Sequence, residues 1–249
     1  MEAKLNEKEH IEYLSEKTGI IVSDEHTFGT DALLLAYFAS PKNSDVICDL
    51  GTGCGIIPFI FFRDGNKNIT AVEIQENACN QVKRSIEMNS AEKSVTLINS
   101  DLRELDFRAL NGKFSLVTMN PPYTKANGGI ESENQNEKIA RHETMCDISD
   151  VALCASKLLK YGGRLCICGR PERLFETMKA LSDKKIEPKR LRTVQKNTSS
   201  APWLFLLEGR LGGKSGMTVL PPLYIENDDK SESDELLSIL GKYREETVK

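Results

Sequence analysis

The chain has 249 residues, 39% of them AVILMFWYC, and 17 glycines bring the apolar share into the range of soluble globular proteins, which excludes a disordered or fibrous chain. The 33 Lys and Arg against 37 Asp and Glu leave a net charge of −4, so no bulk basicity advertises a nucleic-acid partner; any such partner must be held by a local patch. The longest apolar run, Ile56–Phe62, is far below the roughly 20 residues that cross a bilayer, and the first ten residues are charged rather than signal-like, so a cytoplasmic protein is expected.

In chain order, Gly19–Val22 is expected to be extended and Thr30–Ala39 helical, with Thr30 or Asp31 as its N-terminal cap. Residues 1–44 form an extension that packs on the domain rather than a domain of its own. Val46–Leu50, Ile69–Glu73, Val95–Ile98, Phe114–Met119 and Arg164–Cys168 are apolar without alternation, the pattern of strands buried on both faces. Cys54–Phe62, Asn77–Asn89, Ser149–Lys160 and Pro171–Leu181 between them are helix-like. Strand and helix in turn predict an α/β fold with a mostly parallel sheet covered by helices on both faces. Lys189–Gln195 and Trp203–Gly209, joined by a polar turn, predict a hairpin that gives the sheet an antiparallel edge strand. The polar stretch Thr124–Glu137 has no periodicity and is expected to be a mobile loop. The main domain spans 45–225, and 226–249 is an acidic tail with eight Asp and Glu and a short helix at about 234–243.

Seven cysteines without a C-x-x-C pair are expected to be reduced thiols, and three scattered histidines give no metal site. The chemistry gathers instead at strand ends. Asp49-Leu50-Gly51-Thr52-Gly53-Cys54-Gly55 closes the first buried strand and opens a helix, and its glycines let the backbone turn and approach a ligand. A dinucleotide fingerprint would need Gly at position 56, where this chain has Ile56, and Asp49 would repel a pyrophosphate; a cationic or amino-bearing ligand fits better. Glu73 closes the second strand, where its two oxygens can accept from both hydroxyls of a ribose. Asp101 follows the third, positioned to accept from an adenine amine, and Asn120 follows the fourth.

These residues resemble the class I S-adenosylmethionine methyltransferases, Asp49 to Gly55 (with Gly51, Thr52 and Gly53) matching their first motif, Glu73 their ribose acid and Asp101 their adenine-contacting acid. The resemblance implies a Rossmann-like fold of seven strands with the last inserted antiparallel, and S-adenosylmethionine as cofactor.

Asn120-Pro121-Pro122-Tyr123 resembles the catalytic motif of enzymes that methylate planar amino groups. Two prolines hold the backbone extended. The Asn120 side-chain oxygen and the Pro121 carbonyl can each accept a hydrogen from the amine, favouring a more tetrahedral nitrogen whose lone pair faces the methyl group. Tyr123 can stack on the base, a contact worth about 1–3 kcal/mol.

Three further stretches, Phe28-Gly29-Thr30-Asp31-Ala32-Leu33-Leu34-Leu35-Ala36, Ala140-Arg141-His142-Glu143, and the end of the chain from Ala201-Pro202-Trp203 to Leu220-Pro221-Pro222-Leu223, resemble the bacterial methyltransferases that modify valine tRNA at adenine 37, in the anticodon loop. That resemblance implies N6-adenine methylation of tRNA and sets Phe28 and Thr30 near the methionine end of the cofactor. Residues 184–196 carry six basic residues against one acid, so Lys189, Arg190 and Arg192 are candidate phosphate contacts, extended by Lys125 and Arg141. The alternatives are a glutamine methyltransferase of release factors, a DNA adenine methyltransferase and a non-catalytic S-adenosylmethionine-binding module.

Overall fold

The computed structural model describes residues 5–121 and 146–244. Pro122, Tyr123, Lys125, Arg141, the expected loop 124–137 and the 140–143 stretch lie outside the described residues.

The chain begins with an antiparallel hairpin of β1 (Glu9–Tyr13) and β2 (Gly19–Ser23), followed by α1 (Thr30–Ala39). Strands and helices then alternate through β3 (Ile47–Leu50), α2 (Ile56–Arg63), β4 (Ile69–Glu73), α3 (Glu76–Met88), β5 (Val95–Asn99), the single turn α4 (Phe107–Leu110) and β6 (Phe114–Met119). After these come α5 (Ile148–Leu158), β7 (Leu159–Gly169), α6 (Leu174–Asp183), β8 (Ile186–Gln195) and β9 (Pro202–Leu211). Two short strands, β10 (Thr218–Val219) and β11 (Leu223–Tyr224), and α7 (Asp234–Arg244) close the fold.

Seven strands in the order β8-β9-β7-β6-β3-β4-β5 make the central sheet, and β10 and β11 lengthen it along the outer side of β8. Every pair is parallel except those of β9, which runs antiparallel to both β7 and β8. The antiparallel strand is therefore one place in from β8 rather than at the edge that the hairpin reading suggested. Burial explains this: Leu204–Glu208 are buried without a break, which demands a neighbour on each side, whereas β8 is only intermittently buried and tolerates the outer position.

The sheet separates two apolar clusters. One joins the hairpin (Leu14, Ile20, Val22) to α1, α2 and α3 and to Leu236 and Ile239 of α7; the other joins Leu50 and Val117 to α5 and α6. In α1, Ala32–Ala36, Phe38 and Ala39 are all buried, so the helix is enclosed on nearly all sides and its N-terminus is firmly placed. Its cap differs from expectation: Gly29 occupies the N-cap position without a side-chain bond, and Asp31 bonds the adjacent Ala32 N–H through Oδ1. The partner of the extended Gly19–Val22 stretch is β1, whose Glu9 pairs with Arg84 on α3 at 2.6 Å.

Among the described residues, no helix is long and apolar enough to cross a membrane, and no group of His, Cys, Asp or Glu is arranged to hold a metal. All seven cysteines are free thiols.

Candidate active site

After β3, β4 and β5 the chain returns to place β6 on the other side of β3, so the strand order reverses between β3 and β6. The crevice beyond the carboxyl ends of strands at such a reversal is where open α/β sheets bind ligands. The pairing of Leu50 with Met119 sets Gly51 and Asn120 at this point, one residue beyond the paired ends.

Gly51, Gly53 and Gly55 all have positive φ (62°, 57° and 87°), which side-chain-bearing residues rarely adopt. Thr52 N–H donates to the Val72 carbonyl at 3.0 Å, fastening the loop to β4. A Cβ at position 53 would meet no atom within 4 Å, whereas one at 55 would lie 3.2 Å from Val82. The loop thus has an open side at Gly53 and a packed side at Gly55. The Thr52 side chain is buried in this turn, next to the Asp49 carboxyl that it helps to keep ionised.

Two buried acids flank this loop. Asp49 is 1% exposed, and burial pushes its carboxyl from the ordinary 3.8 up to about 7, against the opposing bond from Thr118 and with the Glu73 charge adding to the rise. Thr118 Oγ1 donates to Asp49 Oδ1 at 2.5 Å. Glu73 is 4% exposed and accepts from Gly53 N–H at 2.8 Å through Oε2 and from the Ile74 and Gln75 N–H groups through Oε1. Two buried carboxylates beside an open backbone suit a cation or an amine, not a phosphate.

Asp101, expected to receive an adenine amine, is held by Arg103: its oxygens accept from Nε at 3.0 Å, from Nη2 at 2.5 Å and from the backbone N–H. The bond from Arg103 keeps its carboxyl below the usual range. An adenine would have to share this carboxylate with Arg103.

Asn120 is half-buried at the end of β6. Its Nδ2 donates to Asp31 Oδ2 at 3.2 Å, and its Oδ1 accepts from the Cys168 thiol at 3.1 Å. Pro121 follows, also half-buried. Thr30 is exposed as the first residue of α1, and Phe28 is partly buried against the core. The sequence reading overlooked Asp31, Thr118 and Cys168. Asp31 sits inside the Phe28–Ala36 motif and Thr118 two residues before Asn120, but nothing local links Cys168 to either.

The cations of the basic strand have partners within the fold. Lys189 Nζ donates to the carbonyls of Lys214 and Gly216. Arg190 binds Glu208 at 2.8 Å and the Phe38 carbonyl, with its guanidinium over the Phe38 ring. Arg192 pairs with both oxygens of Glu235 on α7, at 2.6 and 2.7 Å, and donates to the Pro221 carbonyl. All three are engaged within the fold, and β8 lies three strands from β6. These bonds tie β8 to the residues around it. Arg170, just past the end of β7 and two residues beyond Cys168, likewise has internal partners: it donates to the Trp203 carbonyl at 3.1 Å, and its guanidinium is over the Trp203 ring at 5.6 Å.

Residues 13–180 match the methyltransferase small domain family. Among curated relatives, a tRNA1(Val) (adenine(37)-N6)-methyltransferase of Shewanella sediminis is 26% identical over 161 residues, covering 64% of this chain and 65% of that protein. One of Glaesserella parasuis is 32% identical, covering 46% and 47%, and one of Escherichia fergusonii is 25% identical, covering 83% of each. The chain thus spans about half to two thirds of the length of the first two relatives. Among solved structures, a predicted O-methyltransferase from Agrobacterium tumefaciens has a TM-score of 0.67 at 18% identity, covering 86% of this chain and 96% of that one. A geranyl diphosphate C-methyltransferase from Streptomyces coelicolor, in complex with S-adenosyl-L-homocysteine, has a TM-score of 0.54 at 12% identity, covering 73% and 78%. With its glycine turn, flanking acids and reversed strand order, the chain has the Rossmann-like fold of class I S-adenosylmethionine-dependent methyltransferases and belongs to the methyltransferase small domain family.

Proposed function

We propose that this S-adenosylmethionine-dependent methyltransferase acts on the N6 amine of an adenine in tRNA, with position 37 of a valine tRNA as its target. The observation that carries the reading is Asn120, held by Asp31 and Cys168 among others beside the glycine turn, at the start of an Asn-Pro-Pro-Tyr sequence. The names of the relatives support the choice of tRNA and of position 37.

The residues present fit the cofactor. The open side of Gly53 offers it a cradle, and Asp49 and Glu73 supply negative charge for a ligand bearing an amine, a sulfonium and two ribose hydroxyls. When bound, S-adenosylmethionine supplies a methyl carbon made electrophilic by its sulfonium. Phe28, Thr30, Gly51 and Asp101 complete the set assigned to it.

The protein's own task is at the amine. An exocyclic amine is a weak nucleophile because its lone pair is delocalised into the ring. Asn120 Oδ1 and the Pro121 carbonyl accept its two hydrogens and turn the lone pair toward the methyl carbon, while Tyr123 stacks on the base. Orientation of this kind can contribute about 7–11 kcal/mol. Once methylated, the nitrogen is acidic enough to release its proton to water, so no His or Lys base is assigned. Because position 37 lies in a single-stranded loop, extruding its base costs less than flipping one from a duplex. Lys125, Arg141 and Arg170 are the cations assigned to the RNA.

Tritiated S-adenosylmethionine offered with tRNA, DNA and a release factor tests the assignment. Label in tRNA as N6-methyladenosine, mapped by mass spectrometry to position 37, is expected. Label in the release factor or in DNA would establish the corresponding rival, and no label with normal cofactor binding would leave a binding module. Asn120→Ala should lower turnover by about two orders of magnitude or more with cofactor affinity near normal; lost affinity would contradict the role given to Asn120.

A further inference from the structure

We infer that Asp31 is a positioning residue that fixes which end of the Asn120 amide meets the substrate. The inference rests on the reading of Asn120 as the acceptor for the amine, and it identifies what makes Asn120 an acceptor at all. The two ends of an asparagine amide are nearly the same size, and one is a donor and the other an acceptor. A reversed amide at this position would present N–H groups to an amine that needs acceptors.

The Asp31 carboxylate selects one orientation of the amide. The ionised Asp31 carboxylate can only accept, so it tolerates the NH2 end alone at 3.2 Å. On the opposite side the Cys168 thiol, 1% exposed on β7, donates to Oδ1 at 3.1 Å. A flipped amide would set an oxygen against a carboxylate, losing the Asp31 bond and adding repulsion, whereas the thiol can turn to accept from either end; the discrimination therefore comes from Asp31. The Asp31 charge, one hydrogen bond from the amide, also polarises Oδ1 toward a nitrogen that becomes positive as it is methylated.

Asp31 is itself oriented. Its Oδ1 accepts from the Ala32 N–H at 3.0 Å, a donor that it shares with the Gly29 carbonyl, and this leaves Oδ2 for Asn120. The enclosed helix α1 provides the fixed base. Gly29 supplies the room: a Cβ there would lie 2.6 Å from Asp31 Oδ1. Its φ of −105° is open to any residue, so Gly29 answers to the carboxylate and not to the backbone.

The test compares Asp31→Asn, which keeps the shape, and Asp31→Ala with the parent protein. Three quantities are read: cofactor affinity by calorimetry, single-turnover methylation of tRNA, and the Asn120 side-chain NH2 resonances in the absence of RNA. Both variants should bind cofactor within about twofold of the parent, and turnover should fall about tenfold in Asp31→Asn and about 10- to 100-fold in Asp31→Ala, the scale of losing a hydrogen bond to a charged group. The Asn120 resonances should move in both. Resonances that stay in place, or unchanged turnover in Asp31→Ala, would overturn the inference. If the parent methylates no tRNA, the functional reading fails by itself, and the resonances still decide whether Asp31 orients the amide.

Discussion

Thr118 donates to Asp49 at 2.5 Å and so links the ends of β6 and β3 at the point where the strand order reverses. The bond favours the ionised carboxylate, while burial favours the protonated one and wins, leaving Asp49 titrating near 7. An acid with a raised value holds its proton in the folded chain where the unfolded chain has released it, so Asp49 subtracts stability as pH rises from 3.8 to about 7. A cationic ligand requires the ionised form. Cofactor affinity should therefore fall on acidification below pH 7, approaching about tenfold per pH unit, with proton release seen by calorimetry in buffers of different ionisation enthalpy. Thr118→Val should move this dependence to higher pH. Affinity constant from pH 6 to 8 would remove Asp49 from the cofactor's contacts.

Gly53→Ala and Gly55→Ala should separate binding from folding. Each places a side chain at positive φ, a strain of about 1–2 kcal/mol. Only position 55 adds crowding, against Val82 and Phe59 at 3.2–3.4 Å, so it should have the lower melting temperature. Gly53→Ala intrudes on the open side and should lose more cofactor affinity than stability. Calorimetry paired with melting curves checks both; equal behaviour of the two variants would mean that the open side does not face the cofactor.

Arg192→Gln should act on the fold. Glu235 would lose a bidentate partner, at a cost of about 1–3 kcal/mol, seen as a lower melting temperature and faster amide exchange in α7. The salt dependence of tRNA binding should keep its slope, since Arg192 is assigned no phosphate. A slope reduced by about one would return Arg192 to the RNA interface.

Glu9 predicts the acid behaviour of the hairpin. Its bond from Arg84 holds the carboxyl down from 4.5 to about 2. The contribution is present above pH 4.5 and disappears as pH falls toward 2, because the folded chain there must take up a proton that it binds poorly. In Glu9→Gln, the dependence of stability on pH in this window should be smaller by about one proton, measured by denaturant titration at several pH values. An unchanged dependence would show that the pair contributes nothing.

Local pattern was enough for whatever depends on neighbours along the chain. The boundaries of β4, β6 and α1 agree with their apolar runs to the residue, because strands buried on both faces and an enclosed helix are written as unbroken stretches of Val, Ile, Leu, Phe and Ala. The glycine turn and the row of polar residues at strand ends were legible for the same reason, since their order along the chain is the order of the strands. Tertiary structure decided what depends on side chains distant in sequence. It chose the inner place for β9, brought β1 onto α3 through Glu9 and Arg84, turned the cations of β8 toward Glu208 and Glu235, and set Asp31 and Cys168 on opposite ends of the Asn120 amide. A charge or a thiol in a sequence carries no mark of its partner. Asp31 and Asn120 are 89 residues apart, and only the packing of α1 against the sheet brings them within a hydrogen bond.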